Sequence, residues 1–210
     1  MSALISIAAF IIAISVHEYA HAWAAHKAGD DTAKNQGRLT LNPIAHADPI
    51  GSVLIPLMLI ITNAGFVLGW AKPVQINPNN FRDRRDDEYW VSLAGPLSNY
   101  IQALAASIII GIAFKTGLLS QQGLGFAFLN QLVLINIVLG TFNLIPIPPL
   151  DGFSVLKFML PESMEDTLTR IEPMGNFILL FLVISGHLFA IIRPVILKLY
   201  SFCFSIMNMI

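Results

Sequence analysis

The chain has 210 residues, of which 55 % are hydrophobic and only 12 % charged, and its formal net charge is −1. Soluble domains carry about 25 % charged residues, so this composition excludes a soluble domain and describes an integral membrane protein, with a mean hydropathy of +0.69. The near-neutral balance gives no footprint for nucleic acid, and a single cysteine, Cys203, excludes both an intramolecular disulfide and a thiolate metal cluster. Cys203 reads as buried apolar filler.

The first predicted helix runs from about Leu4 to Ala25, roughly the length needed to cross a bilayer. It has no basic region before its apolar run, so it reads as a retained helix rather than a cleaved signal. Inside it stands Ser15-Val16-His17-Glu18-Tyr19-Ala20-His21-Ala22. His17 and His21, four apart, share one helix face. Both imidazoles can reach one zinc ion, with Glu18 beside them as a candidate general base. Ionisable groups at membrane depth are costly, and function is their default explanation.

Lys27 to Asp48 follows as a polar connection, with Gly29-Asp30-Asp31 and Asn42-Pro43 as turn signals. The apolar stretch Ile50–Trp70 is broken by glycines and prolines. Residues 71–78 then read as a short extended stretch, because Pro73 and Pro78 bar a helix and bias their predecessors towards β. The charged run Arg82–Glu88 reads as a solvated loop at headgroup level. Trp90 to about Phe114 is a second spanning helix, and Phe126 to about Pro146 a third. Phe153–Pro173 reads as a surface segment. Met174–Ile192 and Val195–Ile210 are two further apolar runs, the last short for a span.

Catalytic zinc takes three protein ligands and leaves one position open. A third histidine six residues after His21 would complete one common set, but that position is Lys27. His26 faces another side of the helix and reads as interfacial, as does His187, and His46 reads as a loop histidine. Asp151 follows a proline-broken helix end, where unpaired backbone is tolerated only in a protein-lined or wet cavity. Taken alone, Asp151 is an interfacial turn residue; taken with His17 and His21, it is a third metal ligand.

His17-Glu18-Tyr19-Ala20-His21, Gly95-Pro96 with Asn99, and Asn143-Leu144-Ile145-Pro146-Ile147-Pro148-Pro149-Leu150-Asp151-Gly152 stand in order along the chain. Together they resemble the three motifs of the site-2 protease family, peptidase M50, over roughly residues 4–160. The resemblance implies an intramembrane zinc metalloprotease, with His17, His21 and Asp151 as ligands of one zinc ion and Glu18 as catalytic acid and base. It also implies that Asn143 helps to polarise the scissile carbonyl. A buried amide bridging two helices is the structural alternative for Asn143, and the two roles are compatible. The substrate would be a transmembrane protein within the lipid bilayer, and an unwound substrate strand could add to the extended Ala71–Asn77 stretch. Many relatives carry PDZ or CBS domains; this chain reads as a short form without them, one integral-membrane metalloprotease domain over 1–210 with its C-terminal membrane helices at about 174–210.

The fold expected is all-α and polytopic, with five to six membrane segments: a three-helix motif core, a re-entrant segment and C-terminal helices. Metal geometry requires the first helix to end, the second to begin and the third to end on one side, so Ile50–Trp70 must return to the side it entered. That topology places Lys27, Lys34, Arg38, Lys72, Arg82, Arg84, Arg85, Lys157 and Arg170 together, with Lys115 opposite. The positive-inside rule then puts the active site towards the cytoplasm of a multi-pass protein of the cell membrane. The competing function is a non-proteolytic membrane zinc-binding protein or transporter, since intramembrane His and Asp also mark ion pathways. Against a transporter stands the lack of paired halves with matching broken helices. A membrane-anchored zincin acting on soluble peptides would need an exposed catalytic domain.

Overall fold

A computed structural model describes residues 2–54, 58 and 72–210. Helix α1 is Ser2–Ala28, 27 residues and about 40 Å long at the usual rise. It outlasts the expected end because Ala25 and Ala28 pack against Phe81 and Val91. The polar connection holds two short helices, α2 (Thr32–Asn35) and α3 (Pro43–His46). Leu41 and Pro43 share a small cavity with Ile11, Ile12, Ser15 and Val16 of α1. The chain therefore folds back along α1 well before Ile50. A π-helical turn follows at Pro49–Leu54. Residues 55–57 and 59–71 lie outside the described residues, and with them most of the expected re-entrant course of Ile50–Trp70.

Residues 72–77 carry no helix, in line with their prolines, and end in a 3-10 turn at Pro78–Asn80. Among the described residues there is no β-strand. Helix α4 is Arg84–Lys115 and so takes in most of the charged run that reads as a loop in the sequence. The reason is capping: the Asp83 side chain accepts from the Arg85 and Asp86 N–H groups, and Asp86 and Asp87 lie in the first turn, where the helix dipole favours anions. Helix α5 is Leu124–Asn143, α6 is Asp151–Met159 and α7 is Glu165–Ile171. The expected surface segment is thus largely helical.

Helices α8 (Gly175–Ile184) and α9 (His187–Met209) complete the chain. The sequence suggests a break at Arg193-Pro194, but Pro194 lies inside α9 and the break falls at Gly186. Gly186 has φ +76°, a left-handed value that glycine adopts at no steric cost, whereas proline is tolerated within membrane helices. Among the described residues, five stretches are long and apolar enough to cross a membrane: Ala3–Ala28, Arg84–Lys115, Leu124–Asn143, Glu162–Ile184 and His187–Met209. The protein is an all-α multi-pass membrane protein.

Helices α1, α4 and α5 pack on one another as the central bundle, and α9 packs on α4 and α5. The apolar core shared by α4, α5 and α9 is Ala103, Ala106, Ile110, Val133, Ile137, Cys203 and Met207. The bundle has a distinct polar end. There the Arg82 N–H donates to the Ala28 carbonyl (3.1 Å), and Arg85 bonds Glu162 and the Phe158 and Leu160 carbonyls. The end of α1, the start of α4 and helix α6 therefore lie together, and Lys115 closes the far end of α4.

Candidate active site

The site assembles where α1, α4 and α6 meet. Helical spacing puts His17 and His21 on one face of α1, and both are almost fully buried, 3 % and 7 % exposed. Asp151 is the first residue of α6, delivered by a tight turn in which the Leu150 N–H donates to the Ile147 carbonyl (2.9 Å). Its Oδ2 lies 3.4 Å from both His17 Nε2 and His21 Nε2. The two Nε2 atoms are 3.0 Å apart. Among the described residues, His17, His21 and Asp151 form the cluster whose ligand atoms all fall within 4.8 Å of one another.

The far side of each ring shows which nitrogen faces the cluster. His21 Nδ1 is 2.7 Å from the Val91 carbonyl, which can only accept, so Nδ1 carries the proton. His17 Nδ1 is 2.7 Å from Asn99 Oδ1, again an acceptor. Both Nε2 atoms therefore turn lone pairs towards Asp151 Oδ2, itself buried without a hydrogen-bond partner. Three acceptors converge with no proton among them, an arrangement that a cation stabilises. Two imidazoles and a carboxylate suit zinc, with a position to spare. The cradle leaves no room for a side chain at Gly95 of α4, where a Cβ would run into the imidazoles of His17 and His21.

Glu18 sits beside the cluster, 8 % exposed. Its Oε2 accepts from the Val74 N–H at 2.9 Å. The segment carrying Val74 is tied at both ends: the Lys72 N–H donates to the His46 carbonyl (2.9 Å), and the Asn77 N–H to Asp30 Oδ2 (2.8 Å). Asp30 is fully buried and also accepts from Thr32 and Asn80. Burial alone would raise its carboxyl, and the bonds from Asn77, Thr32 and Asn80 outweigh that, holding it below the ordinary carboxylate range.

The remaining expected residues fall as follows. Asn143 ends α5, and its amide donates to the Leu139 carbonyl (3.1 Å). No hydrogen bond links it to the His17–His21–Asp151 cluster. His26 lies 2.5 Å from Asp31 Oδ1, and His187 Nδ1 lies 2.9 Å from the Ser185 hydroxyl. His46, read as a loop histidine, ends α3 and is buried, its Nε2 2.8 Å from the Thr40 carbonyl. The parts that sequence reasoning missed are the Val91 carbonyl, the Val74 N–H, Asp30 and the work of Asn99. Only Asn99 left a signal, as an amide within an apolar helix.

Fold and site together define a class: a helical multi-pass membrane protein holding two imidazoles and a carboxylate at metal-ligand spacing beside a glutamate. Comparison with known proteins narrows it. The family model of Peptidase family M50 matches residues 106–186. The chain is 38 % identical over 204 residues, 92 % of its own length and 90 % of the relative's, to "Putative zinc metalloprotease YwhC" of Bacillus subtilis (strain 168). Over 187 residues, 88 % of this chain and 68 % of the relative, it is 30 % identical to "Putative zinc metalloprotease Rip2" of Mycolicibacterium smegmatis. The protein of the same name from Mycobacterium tuberculosis (strain H37Rv) is 33 % identical over 178 residues, 85 % of this chain and 64 % of the relative. No solved structure matches the chain. The chain belongs to peptidase family M50, the site-2 protease family.

Proposed function

We propose that this chain is an intramembrane zinc metalloprotease that hydrolyses peptide bonds in or near transmembrane segments of membrane-protein substrates. The observation that carries the reading is the convergence of His17 Nε2, His21 Nε2 and Asp151 Oδ2 on one point beside a membrane-spanning helix. These three residues hold one zinc ion per chain. When bound, zinc supplies a Lewis acid for a carbonyl oxygen and acidifies water.

Glu18 is the acid and base: it takes the proton of the attacking water and passes it to the leaving amine. The Val74 N–H fixes its Oε2 and leaves Oε1 for water. Asn143 gives one amide hydrogen to Leu139, and its second N–H serves the developing oxyanion. A fixed donor of this kind is worth about 3 kcal/mol. A substrate helix must unwind before attack, since its carbonyls are hydrogen-bonded. Residues 72–77 offer it an edge for strand addition. The N–H groups of Lys72 and Val74, which share one edge of an extended chain, are already engaged, so the substrate adds on the other edge, short of Asn77, whose N–H is held by Asp30.

The whole of 1–210 acts as one membrane domain of the cell membrane. Its site faces the cytoplasm, because Arg82 and Arg85 cluster at the site's end of the bundle. The test uses purified protein in detergent, wild type beside Glu18→Gln, with bound zinc and cleavage of transmembrane-helix peptides as readouts. Zinc in both, with chelator-sensitive cleavage by wild type alone, is the expected result. Zinc without cleavage in either would favour a non-proteolytic zinc-binding protein or transporter, and no zinc in either would refute the site.

A further inference from the structure

Asn136 of α5 is fully buried, 0 % exposed, one helix away from the metal-type cluster. A polar side chain at this depth is expensive unless its hydrogen bonds are made. Its orientation follows from a single acceptor: Nδ2 donates to the Leu132 carbonyl at 2.9 Å, and a carbonyl cannot donate. Asn136 Oδ1 therefore faces α4, where it accepts from Asn99 Nδ2 at 2.8 Å. With its nitrogen committed there, Asn99 must turn Oδ1 to His17 Nδ1, 2.7 Å away. An amide oxygen only accepts, so the His17 proton resides on Nδ1 and the lone pair on Nε2.

We infer that Asn136 is a positioning residue for metal capture. Acting through Asn99, it fixes the tautomer and ring orientation of His17 so that Nε2 offers its lone pair beside His21 and Asp151. This rests on the reading of His17 as a metal ligand. Without the Asn136 oxygen, Asn99 Nδ2 keeps only a longer contact to the Ala13 carbonyl, 3.4 Å. A flipped Asn99 presents an N–H to His17 Nδ1, which must then accept, and the ring proton moves to Nε2 and blocks it.

The test measures zinc dissociation constants by chelator competition on the full chain in detergent, for wild type, Asn136→Leu, Asn136→Asp and His21→Ala. Leucine has the same branched, four-heavy-atom skeleton but no acceptor. Aspartate keeps an acceptor oxygen facing Asn99. The expected result is a loss of about 10–100-fold for Asn136→Leu with Asn136→Asp within about threefold of wild type. Should Asn136→Leu fail to fold, Asn136→Ala removes the same acceptor and is read by the same criteria. Wild-type affinity in Asn136→Leu would overturn the inference. Equal losses in Asn136→Leu and Asn136→Asp would also overturn it, since they mark helix packing rather than orientation. Undiminished affinity in His21→Ala would instead overturn the ligand reading beneath it.

Discussion

The two ends of the α1–α4–α5 bundle solve the same packing problem with opposite chemistry. Towards the far end, Ala106, Ile110 and Val133 meet Cys203 and Met207 of α9 in an apolar contact that needs only shape. At the site end, His17, His21 and Asn99 are as deeply buried, yet each polar atom on the outer side of the rings has a named partner at 2.7–2.8 Å. Lipid tails are as apolar as leucine, so burial alone hardly drives helices together in a membrane. Polar groups there carry a penalty unless satisfied. The lesson is that the satisfied half of the site is scaffold, while the unsatisfied half, three converging acceptors, is what the scaffold was built to present.

Replacements at each end should therefore separate two readouts, zinc and catalysis against stability. The largest effect is expected for Glu18→Gln, which should lower cleavage by about 10²–10⁴-fold while the zinc content stays at the wild-type level. Next comes Gly95→Val, whose side chain would collide with both imidazoles. It should weaken zinc binding by about 100-fold in a chain that remains helical by circular dichroism. Towards the opposite end, Ile110→Ala should cost about 2 kcal/mol in reversible unfolding, the low end of the usual range because lipid offsets part of the loss. Its zinc dissociation constant should not move, and a shift there would dissolve the distinction between the ends.

The smallest effect concerns Asp30, which anchors the segment holding Glu18. Its carboxyl lies below the ordinary range in the fold, so its contribution is fully present above that range and is lost as pH falls through the lowered value. Asp30→Asn should cost about 1 kcal/mol near neutrality and show a shallower loss of thermal stability as pH falls below the ordinary carboxylate range. Parallel melting curves for the two proteins would remove Asp30 from the account.

Much of this was legible in the sequence, for reasons that differ by element. Spans announce themselves by hydropathy, and His17, Glu18 and His21 by a spacing that only a helix makes meaningful. Asp151 was legible because prolines end the preceding helix and leave a carboxylate without local partners. The start of α4 was misread although its signal was present: Asp83, Asp86 and Asp87 look like a solvated loop by charge and like a capped helix start by position. The sequence suggests the break between α8 and α9 at Arg193-Pro194 rather than at Gly186, since membrane helices absorb a proline that would end a helix in water. The Val91 carbonyl, the Val74 N–H and the buried Asp30 and His46 left no trace, because backbone groups look alike in any sequence and burial of a loop residue is decided by tertiary contact.

The most direct test of the central claim is the zinc content of the purified full chain and its single variants after dialysis against excess metal-free buffer. One zinc per wild-type chain is expected, with its loss in His17→Ala, His21→Ala and Asp151→Ala and its retention in His26→Ala, His46→Ala and His187→Ala. Zinc kept by Asp151→Ala, or lost from His26→Ala, would contradict it.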